Sequence, residues 1–560
     1  MPRTQIEELD AAGESLGSDD GGIAIGPLTR WRRAAPRAAR TGTKGAALSP
    51  CTWLVGVAFV VYAAFAYNQY RQFQVGACDL GIFYQTVQGW AFHGWPLVPI
   101  KGYSQLGDHF SPMFMVLAPL LWVYNSPLVI VFAQAALLVS SAIPVYLVVV
   151  RAWGKPVASA ITAAYLLSIG MQGAVAFPVH EVMFSAPLIA WGLERASANR
   201  WTTATVLIGL TVFVKEDLGL LCVMFALYAL RNRKWRHALA ISVFGVGMFV
   251  LCVKVLIPHM NPNGFTYSND YAQTLHSANF TEAVKYMFTH PADTVRSLFG
   301  NPAKRDAWFH ILAPVAFLCL ASPIALLGLP MMLTRMLSDR DTEWSWHLYY
   351  DMPLMPIVFI GAVDGVQRLT RVVSRVAAKV RERRALVPVE PSADPTASGG
   401  GAEPDESDES DGGAGGHTQP SPTSTKPRIQ LQQLLGGAFA VVALGTAVND
   451  SRGMQLDLWW NHGWFESSPA WDSWVRNSLS YIPSGVEVRA TNNLTIPLAD
   501  RDTVTLIGSH VEKGDWAAVD TGNPQCPIGP SDIPPYMAML KSGGFKIVKQ
   551  EGTIVILHKG

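Results

Sequence analysis

Four short stretches carry side chains able to do chemistry. In CDLGIFYQ the acid is Asp79, and in LGDHFSP Asp108 and His109 are adjacent. A carboxylate so placed can act as a general base on a hydroxyl. Asp79, Asp108 and His109 could instead ligate a divalent metal, a cofactor this pattern allows. FPVHEVMF adds His180 and Glu181, and VKEDLGLL adds Lys215, Glu216 and Asp217 in succession. A lysine there can hold a phosphate or pyrophosphate, with the neighbouring acids orienting it or exchanging a proton. A later loop offers Arg335, Arg340, His347, Tyr349 and Tyr350, where an arginine can grip a lipid phosphate. Lys101 and Lys254 are further cations. Plainer roles compete. Asp79 could cap the helix that begins LGIFYQ, Lys215 and its neighbours could form an internal ion pair, and Trp344 and Trp346 suit an interfacial belt.

The elements that must position these groups are apolar. Of 560 residues, 50% are hydrophobic and 15% charged, against about 25% charged in soluble domains. The charges crowd into the first 50 residues, 368–427 and the tail after 449. The net charge of +1 gives no field for nucleic acid, so none is expected as a partner. The bilayer is. There is no Walker loop, no dinucleotide GxGxxG after a strand and no HExxH. The six cysteines form no CxxC, so a zinc site is not expected. Cys78 and Cys526 would share one side of the membrane and could pair.

The hydropathy pattern predicts an α-helical polytopic membrane protein of about 11 spans, each needing roughly 20 apolar residues, with a small extracytoplasmic α/β domain at its C-terminus. The expected spans are 52–70, 127–150, 156–171, 174–194, 201–214, 217–230, 238–258, 308–321, 324–337, 353–367 and 430–448. Residues 112–124 are apolar but too short to cross. Basic clusters beside the spans place the N-terminus inside, and the first span reads as a retained anchor. Residues 1–50 read as a basic disordered cytoplasmic segment and 51–367 as the membrane core. Residues 368–429 read as a basic, then low-complexity, cytoplasmic linker containing DESDESD. Residues 449–560 alternate like strands around a helix at 532–543. Residues 201–230 form a hairpin whose legs of about 14 residues rise roughly 21 Å. The hydrocarbon core is about 30 Å thick, so the tip at Lys215–Asp217 sits below the outer surface.

CDLGIFYQTVQGW, GDHFSPMFMVLAPLLW, VHEVMFSAPLIAW and VKEDLGLL, in that order over about residues 52–367, resemble the motifs of the domain-of-unknown-function 2079 family. The tail SGVEVRATNNLTIPLADRDTVTLI resembles that family's ending. The resemblance implies membership of the C-type glycosyltransferase (GT-C) superfamily. It implies an inverting transfer of sugar from a polyprenyl-phosphate donor to an envelope glycan, lipid or protein outside the cytoplasm. Asp79 matches the acid of the first external loop in that superfamily. The sequence departs from the usual pattern at Cys78, where an aromatic is common, and at His180-Glu181, where HisPro is common. The alternatives are a transporter or flippase of a polar lipid or solute, its buried charges lining a path, and a non-catalytic envelope assembly protein. No sequence repeat supports the former.

Overall fold

The structure, a computed structural model, describes residues 49–277, 279–385, 431–452, 454, 468–509, 511–524 and 526–560. The expected basic segment at 1–50 lies almost wholly outside them. So does the expected linker beyond residue 385.

Four helices are long and apolar enough to cross a membrane: Pro50–Arg71, Pro127–Trp153, Trp235–Met260 and Leu431–Ser451. The pair Lys155–Leu166 and Ile169–Ala176, bent by 41°, makes a fifth if taken as one span. Eleven full-length spans are therefore not found among the described residues. The difference has a local cause, because proline and serine interrupt the apolar runs. The expected span 174–194 breaks at 177–180 before a 3-10 turn, Glu181–Phe184, and the helix Ser185–Ser197. The expected span 308–321 breaks after Leu312, where Ala316 and Phe317 take positive φ. A β-carbon at positive φ is strained, so a helix ends there. Residues 259–306, between two expected spans, carry short helices. Asn279 caps Phe280–Thr289, accepting from Glu282 N–H at 3.1 Å. Pro291 and Pro302 open the next two helices, as their fixed φ favours.

The core centres on the helix Leu354–Ala385. Its residues 354–363 are all buried, from Leu354 at 2% exposure to Phe359 at 0%, against the short turns 318–328 and the helices 142–153 and 185–197. Ser322 Oγ donates to Asp364 at 2.6 Å, and Asp364 also pairs with Arg368 at 2.5 Å. The basic run from Arg368 to Arg384 continues this helix rather than opening a linker. Arg151 and Arg195 clasp the buried Glu194.

Strands β1 (Leu97–Val98) and β2 (Tyr103–Ser104) form a small antiparallel hairpin. The C-terminal domain holds β3 (Glu487–Ala490), β4 (Thr503–Leu506), β5 (Trp516–Asp520), β6 (Phe545–Glu551) and β7 (Ile554–Lys559) in the order β4-β3-β5-β7-β6. β3 runs parallel to β4 and β5, while β7 is antiparallel to β5 and β6. The helix Ile533–Ser542 lies where the sequence placed it. It packs Ile533 and Leu540 with Val519 and Leu557 of the sheet. This α/β tail agrees with the expected one.

Gly365 meets the turn at 318–321 so closely that an added Cβ would lie 2.0 Å from the Leu318 carbonyl oxygen. Gly365→Ala is expected to lower stability by about 1–3 kcal/mol, read by thermal unfolding of the purified protein. An unchanged midpoint would contradict this packing.

Candidate functional site

Lys215 carries a charge into this apolar bundle, and its surroundings answer to it. The hairpin that carries it comprises the helix Trp201–Gly209, a 3-10 turn to Phe213, a second 3-10 turn Glu216–Leu218 and the helix Gly219–Arg231. Burying an ion is costly unless a partner of opposite sign accompanies it. Glu181, itself 3% exposed, provides this with Oε1 3.1 Å from Lys215 Nζ.

Glu216 is 3% exposed and needs donors of its own. The first polar loop delivers them. His109 Nδ1 lies 3.0 Å from Glu216 Oε1, and Phe110 N–H donates to Oε2 at 3.0 Å. Burial and Lys215 push the His109 pKa down, but Glu216 beside it, with Asp108, outweighs both and holds it above the ordinary value. Asp108 pairs with Lys101 and accepts the Tyr267 hydroxyl at 2.7 Å. Burial pushes Asp108 up, yet Lys101, His109 and that hydroxyl hold it well below the usual carboxylate range.

Asp79 sits on a π-helical turn, Ala77–Gly81. Its side chain is 36% exposed, with Oδ1 3.2 Å from His180 Nε2. His180 is fixed from two further sides. Its ring stacks on Tyr349 at 3.4 Å, and its backbone N–H donates to Gln134 Oε1 at 3.1 Å. The second nitrogen of His180 is 4.0 Å from Glu181. A chain of contacts thus runs from Asp79 through His180 and Glu181 to Lys215.

These groups line one cavity of about 550 Å³. Asp79, Asp108, His109, His180 and Glu181 face it, as do Lys215, Glu216, Asp217, Arg335 and Tyr349. His347 does not; its ring lies tilted against that of Trp346, centroids 3.7 Å apart, and is not part of the lining. Lys254 is also absent from the lining. Arg335 is committed to Asp351 and to the carbonyls of Glu343 and Ser345. Arg340, 47% exposed, leans on Asp270 at 3.4 Å and Glu343 at 3.8 Å and keeps more of its guanidinium open. Asp79, Asp108 and His109, which could have ligated a metal, do not converge. Each has a different partner, and no three His, Cys, Asp or Glu gather for an ion among the described residues.

Phe265, Tyr267, Asp270 and Tyr271 also line the cavity, a contribution the sequence reading missed. The aromatic spacing in the segment FTYSNDY was the available signal. The structure also joins Cys78 to Cys526. Chemically, the cavity sets a half-exposed carboxylate beside an imidazole. A few ångströms further lies an ammonium group with N–H directions left over after Glu181 takes one.

The family described as predicted membrane protein (DUF2079) matches residues 69–387, more than half of the chain, and the chain belongs to it. ArnT from Cupriavidus metallidurans, in its crystal structure bound to undecaprenyl phosphate, is similar in fold. The TM-score is 0.51 and the identity 13%, over 91% of this chain and 97% of that one. ArnT in the apo state aligns with a TM-score of 0.49 at 12% identity over the same shares. At such identity the likeness is one of fold. It agrees with the helical membrane fold expected from the sequence. No curated protein matches the chain.

A group whose folded pKa is raised lends stability in full below its unfolded pKa and loses it as pH rises through the folded one. For His109 that lower bound is 6.5. Glu216→Gln is therefore expected to cost about 1–3 kcal/mol at acidic pH and less once His109 is neutral in both proteins. Thermal unfolding across pH checks this, and a difference that did not vary with pH would contradict it.

Proposed function

We propose that this member of the DUF2079 family is a membrane glycosyltransferase. It would move a sugar from a polyprenyl-phosphate donor to an envelope acceptor on the extracytoplasmic side. The observation that carries the reading is the single cavity in which Asp79, His180, Glu181 and Lys215 form a continuous chain of contacts. The fold likeness to ArnT, whose crystal structure holds undecaprenyl phosphate, supports a polyprenyl-phosphate partner.

In this reading Asp79 accepts the proton of the acceptor hydroxyl as that oxygen bonds to the anomeric carbon. The bond from that carbon to the phosphate oxygen breaks on the opposite face, which inverts the centre. Polyprenyl phosphate leaves with the bonding pair. Lys215 steadies the leaving phosphate through the N–H groups Glu181 does not take, and Arg340, rather than the engaged Arg335, reaches it from the other wall. His180, with Nε2 3.2 Å from Oδ1, orients Asp79. The cavity's lysines and arginines already face carboxylates, so the site is tuned to hold a phosphate in one place rather than to attract anions broadly. The N-terminus lies in the cytoplasm and the C-terminal domain outside, as the basic clusters imply. The short and broken helices together with the full-length ones make up the expected crossings.

Asp79→Asn is expected to lower sugar transfer by about 100-fold or more, and Lys215→Ala to lower it comparably, with membrane insertion intact. Transfer from polyprenyl-phosphate sugars by membranes of a complemented deletion strain, read by mass spectrometry of envelope glycans, checks both. Wild-type rates in the two variants would reject the assignment.

A further inference from the structure

The C-terminal domain contributes no described residue to the cavity lining, yet it grips the turn that carries Asp79 at several points. Cys78, one residue before Asp79, is joined to Cys526 across 448 positions of sequence. The Cys78 N–H donates to Asn492 Oδ1 at 3.0 Å. The Asn492 side chain fills the space over Gly76, where a Cβ would lie 2.2 Å from its Nδ2. Further along, Gln85 Nε2 donates to the Val504 carbonyl at 3.0 Å, and Gln88 Nε2 to that of Ala499 at 3.3 Å. Ala77, Val98 and Ile100 share a small apolar cluster with Leu506 of β4.

The turn needs such support. A π-helical turn has a wide, poorly packed ring of hydrogen bonds and is usually a single-turn feature at a functional position. His180 Nε2 lies 3.2 Å from the Asp79 carboxylate, but among the described residues no side chain lining the cavity is hydrogen-bonded to the backbone beneath it. Asn492 is itself fixed, being 6% exposed on the short helix Asn492–Thr495, where the next residue, Asn493, donates to Asp520 at 2.7 Å.

We propose that the C-terminal domain is a brace for Asp79, with Asn492 and the Cys78–Cys526 disulfide as positioning residues. The inference rests on the reading of Asp79 as the reacting base. It assigns the domain to the geometry of transfer rather than to acceptor or cell-wall capture. Oxidation of one cysteine pair thereby completes the site, so the enzyme matures only where disulfides form.

The test compares full-length wild type, Asn492→Ala and Asn492→Asp by hydrogen exchange of the peptide 76–90 and by sugar-transfer kinetics. Asn492→Ala should speed exchange at 77–82. It should also lower kcat by about tenfold or more, a small displacement of a reacting group being worth up to roughly 100-fold, with KM nearly unchanged. Asn492→Asp keeps the accepting oxygen and should restore most of kcat. Should Asn492→Ala not fold, Cys526→Ser, which removes only the covalent tie, carries the same comparison. Unchanged exchange, or a rise in KM alone, would overturn the brace. If Asp79→Asn itself leaves transfer intact, the reading of the base fails instead, and the exchange data alone decide whether the domain holds the turn.

Discussion

The cost of removing charge from water governs this structure. Lys215 and Glu216 sit at the tip of a hairpin built from two apolar helices, neither reaching the length of a membrane span. Ions there must be matched by partners drawn from elsewhere in the chain. Glu181 answers Lys215, and the first polar loop sends His109 and the Phe110 N–H to Glu216. Once those pairs are made, the loop is pinned, Asp108 is carried to Lys101 and Tyr267, and Asp79 is brought beside His180. The cavity is what remains between partners that could not be left apart.

The same constraint explains what could be read from sequence. Ionisable residues flanked by apolar runs are conspicuous, so Asp79, the Asp108-His109 pair, His180-Glu181 and the Lys215 tip stand out without any structure. The hairpin at 201–230 was legible because basic turns bound it on both sides. The strands of the tail were legible from their alternation. The number of uninterrupted helices was not. Hydropathy sees apolar content but not whether a run stays helical, and Pro314 and the left-handed Ala316 and Phe317 broke a run that composition alone joined. Arg335 illustrates a second limit. Its type suits phosphate, but only the fold reveals that Asp351, 16 residues on, already occupies it.

Long-range organisation was the least legible layer. Nothing local in GACDLG indicates that Asn492 and Cys526 will hold it, because pairings across hundreds of residues leave no periodicity. The cysteines alone gave a hint, through their shared side. The contribution of Phe265 to Tyr271 was hidden similarly, since an aromatic-rich polar segment reads as a surface loop until its neighbours are known. The chain thus joins a membrane bundle that gathers the charges to a soluble-type domain that sets the one turn on which the half-exposed carboxylate rides.

The claim at the centre of this account is that Lys215, neutralised on one side by Glu181, receives a polyprenyl phosphate on the other. Native mass spectrometry of the intact chain with undecaprenyl phosphate, and with the corresponding alcohol that lacks the phosphate, tests it directly. Preferential retention of the phosphorylated lipid by the wild type, weakened about tenfold or more in Lys215→Ala, is the expected result. Equal retention of both lipids, or retention indifferent to Lys215, would contradict it.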